Sequence, residues 1–145
     1  MTIRKAISAD QTSISSLLTD LGYPDTHHFI AGKLALIEQH ESAAVYVYEL
    51  DKKVIGFITI HITLQLGLAG DIMRINYLAV DPAFRSKGIG QALLDYVTAI
   101  ANQNGCDRIE VHCHSRRTQA HAFYERHGFI ESPKYFVKKV KQPNA

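Results

Sequence analysis

The sequence contains little of what marks several large protein classes. Its 145 residues include two cysteines and no tryptophan, and the formal net charge at pH 7 is only +2. So small a charge does not provide the basic surface of a nucleic-acid-binding protein. The N-terminus, MTIRKAI, lacks the apolar core of a signal peptide, and no apolar run is long enough to span a membrane. We therefore expect a cytoplasmic protein with no nucleic-acid or membrane partner.

The two cysteines are not arranged for a disulfide or for a metal site. Cys106 and Cys113 fall along one predicted strand, so they point along it rather than toward each other, which agrees with a reducing compartment. In the run from His112 to His114 the two histidines face opposite to the cysteine, and no C-x-x-C pair accompanies them. We therefore predict no bound metal.

The distribution of apolar residues predicts one α/β domain over residues 1–145. Apolar residues make up 46% of the chain, enough for a core, and no repeat or linker divides it. Alternating or continuous apolar patterns predict strands at 2–7, 43–50, 54–66, 72–80 and 108–114, with final candidates at 129–130 and 135–140. Helical spacing predicts one helix after an Asp10 N-cap, a second after Asp25 or Thr26, and two more at 88–104 and 118–127.

The segment RSKGIG, residues 85–90, is here called the hinge. It joins the predicted strand 72–80 to an amphipathic helix, and it brings two glycines and two cations to the helix N-terminus. Unpaired N–H groups and the positive end of the helix dipole favour a phosphate there, and glycine lets the phosphate approach the backbone. The segment matches neither the Walker A nor the Rossmann pattern. An ordinary strand-to-helix turn is the structural alternative.

A longer stretch around the hinge, LAVDPAFRSKGIGQALL (78–94), resembles the acetyl-CoA motif of the GNAT N-acetyltransferase superfamily. Arg85, Gly88 and Gly90 match the R/Q-x-x-G-x-G/A core of that motif. The later stretch AHAFYERHGF (120–129) resembles the second signature of the superfamily, and LLTDLGYP (17–24) is similar to the segment that joins its first two helices. The resemblance covers nearly the whole chain.

The resemblance implies both a fold and an activity. The fold would be a central mixed, mostly antiparallel sheet flanked by helices and splayed at the strand that binds acetyl-CoA. The activity would be transfer of acetyl from acetyl-CoA to a primary amine of a small molecule, by direct attack in a ternary complex. Two alternatives stay open: a protein or peptide N-acetyltransferase, and a non-catalytic acyl-CoA-binding or regulatory module. Homodimers are common among such proteins.

The resemblance also implies roles for individual residues. Backbone groups of the strand would hold the pantetheine arm, and the hinge would hold the pyrophosphate. Tyr124 would lie near the thioester sulfur as the catalytic acid, since a hydroxyl of pKa roughly 10 can give a proton to a departing thiolate. Arg117 stands where many members carry an asparagine that contacts the coenzyme. The cofactor-binding set is Leu78, Ala79, Val80, Arg85, Ser86, Lys87, Gly88, Ile89, Gly90, Gln91, Arg117 and Tyr124.

The general base and the acceptor site are left open by the sequence. Many members carry a glutamate in the strand before the hinge, whereas residues 73–77 read MRINY here. The last third of the chain also resembles aminoalkylphosphonate N-acetyltransferases, some of which use a divalent metal. That likeness implies an acceptor with an anionic group, opposed by Arg74, Arg116 or Arg117. The acceptor-side candidates are Tyr23, His27, His61, Asp71, Asn76, His112 and His114, with Asp71 and the last three histidines as candidate bases.

Overall fold

A five-stranded sheet forms the centre of the structure, a computed structural model that describes residues 1–113, 117–131 and 136–140. The sheet order is β1-β2-β3-β4-β5; β1 to β4 pair antiparallel, and β5 joins β4 in parallel. The predicted mixed, mostly antiparallel sheet is therefore confirmed. The strands are β1 (Thr2–Lys5), β2 (Ala43–Leu50), β3 (Lys53–Thr63), β4 (Ile72–Val80) and β5 (Arg108–Val111).

Contacts divide the chain into two compact units, Met1–His112 and Cys113–Ala145. The first unit contains the whole sheet together with helices α1 (Gln11–Leu21), α2 (Ile30–Gln39) and α3 (Ile89–Gln103). The second unit contains α4 (Thr118–Arg126). The single domain over 1–145 stays a prediction. None of the helices in the described parts of the chain is long and apolar enough to cross a membrane.

The helices of the first unit cover the two faces of the sheet, because both faces are apolar. Apolar residues of α1 and α2, including Ile14 and Leu34, form one core cluster with Val47 and Phe57 of the sheet. On α3, Leu93 is fully buried. That helix lies so close to β3 that a Cβ at Gly56 would stand 3.3 Å from Ile89 Cγ2 and 3.4 Å from Leu93 Cδ1. The nearest atom would be the backbone oxygen of Ala79, at 3.1 Å, so a side chain at this position would require the neighbouring strand or the helix to shift by a few tenths of an ångström.

Several element ends differ from the sequence predictions. β3 ends at Thr63, and the exposed side chains of Leu64 and Leu66 lie in the loop beyond it. β5 ends at Val111 rather than at residue 114. The described residues of the two final strand candidates, 129–130 and 136–140, form no strand; the Phe129 amide instead donates to the Tyr124 carbonyl at the end of α4. Residues 114 and 135 lie outside the described part.

Asp10 stands directly before α1 as predicted, but its carboxylate caps no helical amide. It accepts two hydrogen bonds from the Arg4 guanidinium, over 2.8 and 3.0 Å, and one from the Ile7 amide over 2.8 Å. Burial alone would raise the pKa of Asp10, but these hydrogen bonds and the guanidinium charge outweigh it, so the net pKa lies below its ordinary value. Asp10 therefore ties β1 to the start of α1.

We expect Asp10→Asn to lower the free energy of unfolding at pH 7 by about 1–3 kcal/mol, because Arg4 and the Ile7 amide lose a charged acceptor. Since the folded-state pKa is depressed, this contribution is fully present above about pH 4 and is lost as the pH falls through the folded pKa. Urea unfolding at pH 7 and at pH 3 measures both effects. The exposed Asp20→Asn is the control. An equal loss at both pH values would contradict this account.

Candidate acetyl-CoA site

Residues 81–84 connect the end of β4 to the hinge, and the backbone departs sharply from strand geometry along both segments. The Asp81 amide donates to Ile55 O over 2.8 Å, and the Asp81 carboxylate accepts from the Ala83 amide over 2.9 Å. A short 3-10 turn, Pro82–Phe84, follows. Ser86 (φ 62°) and Gly88 (φ 81°) then take left-handed conformations, and α3 starts directly after Gly88. These two left-handed residues change the direction of the backbone between the end of β4 and the start of α3.

The N-terminus of α3 leaves backbone N–H groups available to a ligand. No side chain of the described residues caps the helix, and the Ala92 amide, bonded to Gly88 O, makes the first helical hydrogen bond there. The amides of Ile89, Gly90 and Gln91 precede it. An ideal Cβ at Gly88 would meet no atom of the described part of the chain within 4 Å, so the space next to that residue is open there. An exposed, uncapped helix start with Arg85 and Lys87 beside it fits a pyrophosphate.

One edge of β4 has no strand partner along residues 76–80, which we call the unpaired edge. Pairing between β4 and β5 ends at Ile75 and Val111, and no described residue extends it. The Tyr77 amide, bonded to Thr59 Oγ1 over 3.0 Å, and the Asp81 amide both point to β3. Because backbone groups alternate in direction along a strand, the amides of Leu78 and Val80 point to the unpaired edge. That edge can therefore hydrogen-bond an extended ligand.

Ala79 has the opposite orientation. It lies midway between Tyr77 and Asp81, whose amides point to β3, so by the same alternation its backbone groups face β3 rather than the unpaired edge. Of the three β4 residues assigned to the coenzyme, Ala79 is thus the one whose backbone is taken up by the sheet.

A β-bulge in β4 lies at the start of the unpaired edge. Thr59 pairs with Tyr77, whereas Ile60 pairs with Ile75, so Asn76 is the extra residue. Its side chain is exposed, and the next ring, Tyr77, packs edge-on against Tyr23 with 5.2 Å between centroids. Burial, and secondly Tyr23, raise the pKa of Tyr77. Two acceptor-side candidates, Tyr23 and Asn76, therefore lie near each other at the bulge. Tyr77 lies between them, and the sequence had not indicated it as a candidate.

His61 lies two residues along β3 from the bulge. It pairs with Arg74 across β3 and β4, and its ring lies 5.3 Å from that of His40 at the end of α2. Arg74 Nη2 in turn donates to Glu110 Oε1 over 2.9 Å. Glu110 was missed as a candidate because the search for a carboxylate followed β4 alone. Its place on the polar side of the alternating pattern in β5 is the signal that could have found it.

The remaining acceptor-side candidates are more scattered. Asp71 precedes β4, at the opposite end of that strand from the hinge, and its carbonyl accepts from the Asp107 amide over 2.8 Å. His27 is exposed in the 3-10 turn before α2, with its ring 4.0 Å from that of His28. His112 follows β5 directly. His114 and Arg116 lie outside the described residues. Within the described ranges, no group of three or more His, Cys, Asp or Glu could hold a metal ion.

Tyr124 belongs to the second unit, on α4. It is buried, and its ring packs edge-on against Phe129 with 5.3 Å between centroids. Burial first, and the neighbouring Cys113 second, raise the pKa of Tyr124 to about 12, while Arg117 just before α4 acts in the opposite direction. The hydroxyl therefore keeps its proton across the physiological range.

The likeness to known proteins agrees with this geometry. The model of the Acetyltransferase (GNAT) family matches residues 11–129. The chain belongs to the GNAT acetyltransferase family. This GNAT chain is 29% identical over 143 residues to the aminoalkylphosphonate N-acetyltransferase of Salmonella typhimurium, covering 95% of this chain and 90% of that protein. It is 30% identical over 141 residues to the amino-acid acetyltransferase of Mycobacterium tuberculosis, covering 89% of this chain and 68% of that protein.

The fold also matches solved structures of the family. The aminoglycoside N-acetyltransferase AAC(6')-Iy, solved in complex with CoA, superposes with a TM-score of 0.84 at 18% identity, covering 97% of this GNAT chain and 95% of that one. At this identity the match establishes the fold alone. Together with the family match, it confirms the predicted GNAT fold and N-acetyltransferase class, while the roles of individual residues stay predictions.

Proposed function

We propose that this GNAT chain transfers the acetyl group of acetyl-CoA to a primary amine of a small molecule, by direct attack in a ternary complex. The observation that carries the proposal is the uncapped start of α3, reached through left-handed Ser86 and Gly88, beside the unpaired edge of β4. A charged diphosphate and an extended amide-bearing arm are the two chemical features these neighbouring surfaces suit.

In this proposal the coenzyme lies along both surfaces. Hinge amides from Arg85 to Gln91 bind the pyrophosphate, and the cationic side chains of Arg85 and Lys87 add charge. The amides and carbonyls of Leu78 and Val80 hydrogen-bond the pantetheine arm as a further strand would. Bound there, acetyl-CoA supplies the activated acyl group. The groups named here are backbone groups and exposed cations of the first unit.

The acceptor in this proposal is a small molecule. The matched relatives are named for aminoalkylphosphonate and amino-acid acetylation, and a structural neighbour is named for aminoglycosides. All three names denote small-molecule amines rather than proteins. The exposed Asn76 and the neighbouring Tyr23 at the bulge lie at the start of the unpaired edge, where an acceptor meets an acyl group held along Leu78.

The chemistry asks three things of the chain. The amine must arrive neutral, because a protonated nitrogen has no lone pair with which to attack. The Leu78 amide can donate to the oxyanion that develops as the carbonyl is attacked. As the C–N bond forms and the C–S bond breaks, the Tyr124 hydroxyl, kept protonated by burial, can donate its proton to the thiolate that leaves. The proton that the amine nitrogen loses passes to water, from which the tyrosine is reprotonated. The roles of Tyr124 and Arg117 rest on the sequence resemblance.

We expect saturable release of free CoA thiol from acetyl-CoA when one class of small amine is present. The panel would contain simple amines, aminophosphonates, amino acids, aminoglycosides, polyamines and peptides, and a thiol reagent would measure release. Mass spectrometry of the product would check that one acetyl group has replaced a hydrogen on the amine. Release with peptides alone would favour the protein acetyltransferase. CoA binding without release for any class would favour the non-catalytic module.

A further inference from the structure

Two oppositely charged side chains lie at the start of the unpaired edge. Arg74 on β4 and Glu110 on β5 are register partners, one residue before the last pair of the two strands. Arg74 Nη2 donates to Glu110 Oε1 over 2.9 Å. The two side chains are 41% and 33% exposed. A ligand that approaches this end of the unpaired edge can therefore reach both charges.

The pair lies on the sheet face that carries the acceptor-side residues. Residues paired across neighbouring strands direct their side chains to the same face, and His61 pairs with the arginine. Thr59, two residues away on the same strand, shares that face and pairs with Tyr77. Tyr77 packs against the core cluster under α1 and α2 and against Tyr23. The ion pair and Tyr23 thus belong to one side of the sheet.

The pair keeps unused hydrogen-bonding capacity. A guanidinium has five N–H donors and a carboxylate accepts at both oxygens, yet one hydrogen bond joins these two side chains, and the described residues provide no other for either. The ion pair that joins β1 to the start of α1 is different. Arg4 donates two hydrogen bonds to Asp10 and a third to Glu49, and the Asp10 side chain is only 7% exposed. Arg74 and Glu110 are not saturated in this way.

We propose that Arg74 and Glu110 select an acceptor that carries an anionic group as well as its amine, an inference that rests on the proposed function. Arg74 binds the carboxylate or phosphonate, and the free oxygen of Glu110 accepts a hydrogen bond from the amine. Arg74 and Asn76 are two residues apart, about 7 Å along the strand. A compact zwitterion can therefore contact the pair while its nitrogen lies near the bulge.

Binding, measured apart from turnover, tests the inference. Calorimetry in saturating CoA would compare 2-aminoethylphosphonate and 3-aminopropanoate with propylamine, which lacks the anion, and ethylphosphonate, which lacks the amine. We expect at least one zwitterion to bind tenfold or more tightly than both singly charged probes, and the better zwitterion identifies the anionic group. If neither zwitterion has this advantage, the inference is overturned. Absence of turnover despite such selectivity would contradict the proposed function instead.

Variants separate recognition from a structural role. Arg74→Gln should weaken binding of the preferred zwitterion at least tenfold and leave propylamine unchanged, whereas Arg74→Lys, which keeps the charge, should retain part of the affinity. Glu110→Gln should weaken binding of the zwitterion but leave binding of ethylphosphonate unchanged. The control is Arg108→Gln, which breaks the exposed pair with Asp107 (2.8 Å) at the start of the same strand. Equal weakening of all probes by Arg74→Gln would mean that the pair is structural.

Discussion

Replacing Gly88 with aspartate should weaken CoA binding at least 100-fold, roughly 2.8 kcal/mol at 1.4 kcal/mol per tenfold. Gly88 has φ 81° and ψ 7°, and its missing Cβ would point into open space at the start of α3. A carboxylate there would stand against the pyrophosphate and repel it, and it would also compete for the hinge amides. The left-handed backbone adds about 1–2 kcal/mol of strain for a residue with a Cβ. Titration calorimetry with CoA measures the loss.

The matched control uses the other end of the same helix. Gly105 follows α3, also has a left-handed φ (67°), and would place a Cβ in equally open space. Gly105→Asp should thus cost similar backbone strain while CoA affinity stays at its wild-type value. Gly88→Ala adds the strain without the charge and should fall between the two. Wild-type CoA affinity in Gly88→Asp would exclude the hinge as the pyrophosphate site.

The parts of the site that depend on neighbouring residues could be predicted from the sequence. The hinge could be predicted as a phosphate site because its two glycines, its two cations and the helix that follows are contiguous in the sequence. Even there one detail was missed, since Ser86 also takes a left-handed conformation that no local preference for serine indicates. The start of α2 was misjudged for the same reason: Asp25 is left-handed, and a 3-10 turn delays the helix to Ile30.

The parts that depend on strand register could not be predicted. The bulge at Asn76 arises from how β4 fits β3, and nothing in residues 72–80 alone marks it. The meeting of Arg74 with Glu110 spans 36 positions of sequence and requires the parallel pairing of β4 with β5. Hence the sequence could indicate the candidate coenzyme site, whose residues are contiguous, but it left open the proposed acceptor site, whose residues lie on three different strands.

Tyr124→Phe should lower kcat by about 100- to 1000-fold while CoA affinity stays within about twofold, because general acid catalysis typically contributes on this scale. Phenylalanine keeps the ring that packs against Phe129 and removes only the hydroxyl. Tyr96→Phe, at a partly exposed tyrosine of α3, is the control and should leave kcat unchanged.

The dependence of kcat on pH tests the role of Tyr124 in a second way. In the proposed role Tyr124 acts in its protonated form, and burial raises its pKa to about 12, so its contribution to kcat should persist through pH 10 and fall only as the pH approaches 12. An ordinary tyrosine would already be half ionised near pH 10. An alkaline loss of kcat centred near pH 10 that disappears in Tyr124→Phe would therefore contradict the raised pKa, whereas unchanged kcat in that variant would remove Tyr124 from the chemistry. The pH at which kcat is lost tests the raised pKa, and the kcat of Tyr124→Phe tests the catalytic role. Either prediction can be contradicted without the other, so the wild type and this one variant test both.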